Sequence, residues 1–310
     1  MDLQRLRTLR ELHRRQTMAA VAEALLISAS AVSQQVALLE AELDVKLIER
    51  RGRGVTFTPA GLRLIGHAEK IFGLVEAART DLAEMKQAIS GEIRVAAFPS
   101  VAATIIPCAL RLSRERHPQL DVILSAMEPS EGLAALRAWQ TDIALIDDLT
   151  AISGLSDERV DRLFLYEDEL FAILPSSHPL SAVEAVTLQD LRGEKWALDV
   201  ASHVYSDVIR DRCRQAGFEP QVNGYCNDFE VGLSLIRAGC SISVMPGLRL
   251  RHVERDVCIR RLKPPIRRRI MAAVRASEGR NPAIAAFLEV LQEAAGDLLN
   301  ARQDRPLPTR

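Results

Sequence analysis

The chain has 310 residues, 48% of them hydrophobic, and a formal net charge of −1. That length provides for two or three compact units with their own cores, and the near-neutral balance excludes recognition of nucleic acid by bulk charge alone. Five cysteines (Cys108, Cys213, Cys226, Cys240, Cys258), odd in number, far apart and without a C-x-x-C pair, argue against a secreted disulfide framework and against metal ligation. The opening Met-Asp-Leu-Gln-Arg-Leu-Arg lacks the apolar core of a signal peptide, and no 18-residue uncharged apolar run occurs. A cytoplasmic protein with no membrane span is expected.

Leu3, Leu6, Leu9 and Leu12 predict a first amphipathic helix with arginines on its opposite side. Positive charge gathers at Arg5, Arg7, Arg10, Arg14 and Arg15, and again at Arg50, Arg51 and Arg53. Either cluster alone reads as a solvated surface. Thr17 is placed to cap a second helix that carries Val21, Ala22 and Leu25 inward, and Ser28 to cap a third. In the third, Ser30, Ser33, Gln34 and Ala37 share one side, while Val32, Val36 and Leu39 share the other. An apolar face holds such a helix to its neighbours, and small hydroxyl and amide side chains face out. That is what a helix needs to enter the major groove and touch base edges. Leu43, Val45, Leu47 and Ile48 are expected to complete this small core. The stretch from Arg50 to Phe57 reads as a hairpin with a glycine-rich basic tip. Residues 1–58 are therefore predicted to be a winged helix-turn-helix.

Thr58-Pro59 marks a helix start, a capping hydroxyl followed by proline at the first helical position. The helix is expected to run to about Ile89, before Ser90-Gly91. Leu64, Ala68, Ile71, Val75, Ala78, Leu82, Met85 and Ile89 alternate steps of four and three. That heptad seam over residues 59–90 argues for self-association; a helix lying on a globular core is the alternative.

From Gly91 the rhythm changes to strands and helices in turn. Strands are expected at 93–98, 122–126, 142–146, 170–174, 195–198, 221–226 and 241–245. Helices are expected at 101–116, despite an internal Pro107, near 132–140, at 204–216 and at 228–238. Asn281-Pro282 starts a final helix to about Leu299. This alternation predicts open α/β sheets.

These residues carry a family likeness. The opening segment, the run Ala19-Ala20-Val21-Ala22-Glu23-Ala24-Leu25 followed by Ser28 to Val36, and the stretches Leu39-Glu40, Leu47-Ile48-Glu49-Arg50 and Thr58-Pro59-Ala60-Gly61 resemble the LysR-type transcriptional regulators. Ile236 to Pro246 resembles a late helix-to-strand stretch of the same family, more loosely. The chain departs from the family at Ala29-Ser30, where Gln-Pro is usual, at Gln34, where arginine is common, and at Val32, where a larger residue is usual. Glutamine in place of arginine at a groove-facing position favours adenine over guanine.

The resemblance implies an α/β protein in three parts. These are a winged-helix DNA-binding domain, a long dimerising linker helix and a periplasmic-binding-protein-like (type II) effector domain at 91–310. The last has two α/β lobes joined by two crossovers, the first at 91–165 plus 277–302 and the second at 166–276. It also implies a homotetramer on imperfect palindromes of promoter DNA, a small-molecule effector between the lobes, and RNA polymerase as a further candidate partner. No cofactor is implied.

For DNA, Ser30, Ser33 and Gln34 are the candidates for base-edge contact, and Ala31 for a thymine methyl. Ser28, Ala29, Gln35 and Thr58 lie near helix starts that suit phosphate. Arg50, Arg51 and Arg53 are candidates for phosphate or the minor groove, with a structural ion pair as the alternative for Arg50. In an open α/β lobe, ligands sit at the carboxyl ends of strands. Pro99, Ser100 and Val101, with their backbone N–H groups and the Ser100 hydroxyl, are therefore candidates, a plain helix cap being the alternative. Met127, Glu128, Asp147, Ala201, Ser202, His203, Asn227 and Asp228 follow on position alone. The acidic members weigh against an anionic effector. Two other functions are considered. A thiol redox sensor would need Cys213 and Cys226 within disulfide range. An enzyme or solute-binding module would need convergent acid, base or nucleophile groups, yet the catalytic motifs G-x-S-x-G, G-x-x-x-x-G-K-[ST], H-E-x-x-H and G-x-G-x-x-G are all missing.

Overall fold

Two helix caps set the amino-terminal unit. Asp2 accepts from the Gln4 N–H at 3.1 Å to open α1 (Leu3–Arg15), and Ser28 accepts from the Ala31 N–H at 3.1 Å to open α3 (Ala29–Leu43). Between them lies α2 (Met18–Leu25), with Thr17 Oγ1 accepting from the Ala20 N–H at 3.3 Å. The computed structural model describes all residues except 1, 26, 52–53, 86–88, 138, 151–159, 200–202, 254–255, 279–280 and 305–310. The described residues form two compact units, Met1–Met85 and Lys86–Arg310.

In the first unit, β1 (Ile48–Arg51) and β2 (Gly54–Phe57) pair antiparallel, and α4 (Pro59–Met85) follows. Leu6, Leu9, Leu12, Val21, Val32, Val36, Leu39, Leu47 and Val55 make the core, closed by Ile65 and Ala68 of α4. Leu43 and Val45 were expected there and are instead exposed, because α3 ends at Leu43 and Asp44 takes a left-handed conformation that turns the chain away. Gly61 packs so tightly beneath Leu47 that a Cβ would overlap the Leu47 carbonyl oxygen. Most of the first arginine cluster is internal structure. Arg10 is buried over the Phe72 ring at 4.3 Å, and desolvation, reinforced by Arg14, lowers its pKa to about 10. Arg14 and Arg15 pair with Glu11, and Arg5 with Glu42.

The expected seam on α4 divides. Ala68 is in the core with Leu64 and Ile71 packed against it, so the first half serves the winged helix itself. Further along, Leu82 of the seam is exposed by 61% while Val75 is half-buried, and Leu74, beside the seam, is exposed by 72%.

The second unit alternates strands and helices. They are β3 (Gly91–Ala97), α5 (Pro99–Ala102), α6 (Ile105–Arg116), β4 (Leu120–Ala126), α7 (Pro129–Arg137), β5 (Ile143–Asp147) and β6 (Val160–Pro175). Next come β7 (Ala185–Val186), β8 (Lys195–Asp199), α8 (His203–Gln215), β9 (Gln221–Cys226), α9 (Phe229–Arg237), β10 (Ser243–Pro246), β11 (Val257–Arg275) and α10 (Pro282–Asp304). The helix expected at 101–116 is two helices. Pro107 falls in the first turn of α6, where its missing N–H has no partner to lose.

The main sheet runs β10-β6-β11-β5-β3-β4, with β7 paired to β11, and β8–β9 form a separate parallel pair. Two cores flank the long strands. Leu165 and Tyr166 of β6 and Ile270, Ala272 and Val274 of β11 belong to the first lobe's core. Leu170, Ala172 and Leu174 of β6 and Cys258, Leu262 and Ile266 of β11 belong to the second's. The expected second lobe at 166–276 therefore extends too far: the end of β11 returns to the first lobe because its apolar residues are buried there.

Candidate DNA-reading face and effector cleft

The α3 helix has two faces. Val32, Val36 and Leu39 are buried, while Ala29, Ser30, Gln34 and Ala37 are exposed and Ala31 and Ser33 half-buried. Ser28 Oγ lies 2.8 Å from Ser30 Oγ, so both hydroxyls sit at the helix start. Gln35 is engaged inside the unit, its Oε1 accepting from the Thr8 hydroxyl. Thr58 is likewise engaged: its hydroxyl donates to the Lys46 carbonyl at 2.7 Å and accepts from the Gly61 N–H at 3.0 Å. Both side chains take part in holding the fold. Arg50 and Arg51 are on β1, but their side chains, and Arg53 altogether, lie outside the described residues. Sequence reasoning missed Glu40, whose carboxylate accepts from the Leu47 and Ile48 N–H groups at 2.8 and 3.2 Å and from Lys46 at 3.0 Å. It ties α3 to the wing.

In the second unit a cleft with about 670 Å³ of atom-free space, open to solvent, lies between the two cores. Pro99, Ser100, Glu128, Asp147 and Asp228 line it, as the strand-end argument expected. Val101 is fully buried in the first core, and its N–H donates to the Phe98 carbonyl at 3.0 Å, so the expected backbone cradle is a helix turn. Met127 packs against an apolar cluster of the first lobe, and Asn227 is exposed outside the lining. Ala201 and Ser202 lie outside the described residues, as does the side chain of His203.

The floor of the cleft was not anticipated. Arg268 of β11 is 3% exposed; its Nε and Nη2 donate to Asp168 Oδ2 at 3.1 and 2.8 Å, and Nη2 also donates to Ser100 Oγ at 2.7 Å. Its Nη1 lies 3.7 Å from Asp147 Oδ2, and its plane lies over Phe98 at 5.1 Å. Desolvation opposes the charge on Arg268, but Asp168 and Asp147 outweigh it and the pKa is raised. Asp147 Oδ1 accepts from the Leu149 and Thr150 N–H groups and the Thr150 hydroxyl at 2.9, 2.8 and 3.0 Å. On the second lobe the Tyr205 hydroxyl donates to the Val244 carbonyl at 3.1 Å, and burial pushes its pKa up. Arg249 also lines the cleft, over the Phe229 ring at 4.9 Å, with its pKa lowered mainly by desolvation.

Cys213 and Cys226, the pair weighed for a redox switch, are both free thiols. Cys213 is in the second lobe's core, where burial raises its pKa to about 12, and Cys226 in the cleft wall is raised for the same reason. Reactive cysteines need the opposite shift. Among the described residues, no three His, Cys, Asp or Glu side chains are grouped to hold a metal, and no helix is long and apolar enough to cross a membrane.

Comparison with known proteins identifies both parts of the chain. Residues 3–62 match the bacterial regulatory helix-turn-helix protein, lysR family, and residues 86–296 match the LysR substrate binding domain. The chain is 28% identical over 246 residues to the transcriptional dual regulator GltC of Bacillus subtilis (strain 168), covering 79% of this chain and 81% of that protein. It is 25% identical over 247 residues to the DNA-binding transcriptional dual regulator OxyR of Escherichia coli (strain K12), covering 79% of each. Full-length BenM shares the fold at a TM-score of 0.56 and 24% identity over 100% of both chains. So does CbnR, solved in complex with its target DNA, at 0.53 and 24% over 95% of this chain and 100% of that one. The chain belongs to the LysR family of DNA-binding transcriptional regulators, with a helix-turn-helix ahead of an effector-binding domain.

Proposed function

We propose that α3 enters the major groove of promoter DNA with Ser30, Ser33 and Gln34 at base edges and Ala31 against a thymine methyl. Ser28 and the helix start lie against phosphate, and the wing residues Arg50, Arg51 and Arg53 add backbone or minor-groove contacts. The observation that carries this reading is the division of α3, whose Val32, Val36 and Leu39 are buried while Ser30 and Gln34 stand exposed. Two copies pair through the outer half of α4, where Leu74 and Leu82 are uncovered, and two such pairs make a tetramer on an imperfect palindrome. The complex of CbnR with its target DNA supports duplex DNA as the partner. The protein acts in the cytoplasm, where that DNA is, with RNA polymerase as a further partner. The effector occupies the cleft between the lobes and favours one arrangement of the assembly over another; it acts only through that difference in affinity.

The test is fluorescence anisotropy of the full-length protein on DNA from upstream of its own gene. Binding is expected to weaken steeply with salt. Ser30→Glu, at an exposed position, is expected to abolish binding with an unchanged melting temperature. Unaltered binding by that variant would remove α3 from the interface.

A further inference from the structure

The charges of the cleft are unequal. Glu128, Asp147, Asp199 and Asp228 line it, against Arg249 and Arg268. Arg268 is held by Asp168, Ser100 and Asp147 in the floor. The second guanidinium, Arg249, is half-buried over Phe229 and, among the described residues, makes no hydrogen bond or ion pair. The carboxylates whose fields reach it are Asp199, Asp228 and Glu128.

A second observation is independent of this wall. Asp147 is 1% exposed, and its Oδ2 has no hydrogen-bond partner, although Oδ1 accepts three. Buried carboxylate oxygens are normally met by a donor. An N–H or O–H inside the cleft would supply it, where a water would otherwise bridge Oδ2 and Arg268.

Each simpler ligand leaves a charge badly placed. A plain carboxylate would enter beside three wall carboxylates with one guanidinium in reach, and like charges at close quarters repel strongly in a partly desolvated site. A plain amine would bring no acceptor to the half-buried Arg249 and would compete with it for the same three carboxylates. Resting on the reading that the cleft holds the effector, we propose that this effector is an amino acid or a close derivative. Its carboxylate meets Arg249, its ammonium donates to the wall of Asp228, Asp199 and Glu128, and a further N–H or O–H reaches Asp147 Oδ2. Neutral and basic side chains fit this wall; acidic ones do not.

The test uses the full-length protein, with thermal shift followed by calorimetry. The probes are the common amino acids and ornithine, each beside its deaminated acid and its decarboxylated amine. At least one amino acid is expected to raise the melting temperature and to bind about tenfold or more tightly than either counterpart, as loss of a charge-assisted contact requires. Asp228→Asn keeps the α9 cap, since asparagine caps as well, and is expected to weaken binding about tenfold. Arg249→Gln is expected to weaken the amino acid similarly and to leave the amine unchanged. If deaminated acids bind as well as their parents and still respond to Arg249→Gln, the cleft stands and ammonium recognition falls. If no probe binds, the amino-acid proposal falls and the cleft reading is untouched; if an amino acid binds but ignores both variants, the cleft reading falls with the proposal.

Discussion

Arg268 and Asp168 face each other in register on β11 and β6, joined at 2.8 and 3.1 Å, where the two strands pass between the lobes. Arg268 also holds Ser100 of the first lobe, and Asp168 Oδ1 accepts from the Leu248 N–H at 3.1 Å. Breaking a buried pair by removing one partner leaves an uncompensated charge, at a cost of about 3–5 kcal/mol. Asp168→Asn is expected to destabilise the effector domain by that amount in urea denaturation. Replacing both residues together, Asp168→Leu with Arg268→Met, is expected to recover little of the loss, because buried Asp147 then faces no cation and the Leu248 N–H no acceptor. Equal stabilities for the single variant and the wild type would show that the pair is not desolvated as described.

Glu40 gives a dependence on pH. Desolvation acts to raise its pKa, but the Leu47 and Ile48 N–H groups and Lys46 outweigh it, and the carboxyl titrates below its usual range. A lowered folded-state pKa contributes stability that is fully present above the unfolded value and is lost as pH falls through the folded one. Glu40→Gln is expected to destabilise the amino-terminal unit by about 1–2 kcal/mol at neutral pH. The gap should close as pH drops below about 4. Melting curves across that range measure it, and a gap independent of pH would assign the effect to packing.

At the DNA face, Gln34→Ala is expected to change sequence preference, since an amide at that position selects adenine by about 1–3 kcal/mol. Arg53→Ala is expected to weaken all sites alike and to reduce the salt slope by about one. Selection from a randomised duplex library, with titrations at several salt concentrations, separates the two. Uniform weakening by Gln34→Ala would remove its base-reading role.

For assembly, Leu82→Glu places a charge on the uncovered part of α4. Sedimentation is expected to shift toward monomer at micromolar protein, while the melting of the amino-terminal core, which uses Ile65 and Ala68 instead, stays unchanged. A wild-type protein that already sediments as a monomer would end the pairing model.

How much of this was legible in the chain differs by element. The α3 face was readable because a helix buried on one side repeats its pattern every 3.6 residues, and Val32, Val36 and Leu39 keep that period without interruption. β11 was not anticipated. Its run is rich in arginine and broken by Pro264 and Pro265, both of which read as loop. The prolines fall where pairing with β6 breaks between Arg261 and Ile266, so they interrupt no ladder. A faint signal was present. Ile266, Arg268 and Ile270 alternate with Arg267 and Arg269, and Tyr166, Asp168 and Leu170 alternate likewise on β6, which puts one charge in each inward row. No rule of spacing within one strand announces that two such charges will meet; that depends on register. Nor could sequence place Arg249, which is set in the cleft by a short 3-10 turn after β10.

The long pairing of β6 with β11 also limits how this protein can respond to what it binds. A clamshell swinging on a pivot would bend a ribbon shared by both halves, paired on either side of the break between Arg261 and Ile266. What the ribbon permits is torsion, spread thinly along its length like load in a leaf spring. On the proposed reading, an occupied cleft would then signal through a small screw-like rotation, amplified where several copies are joined.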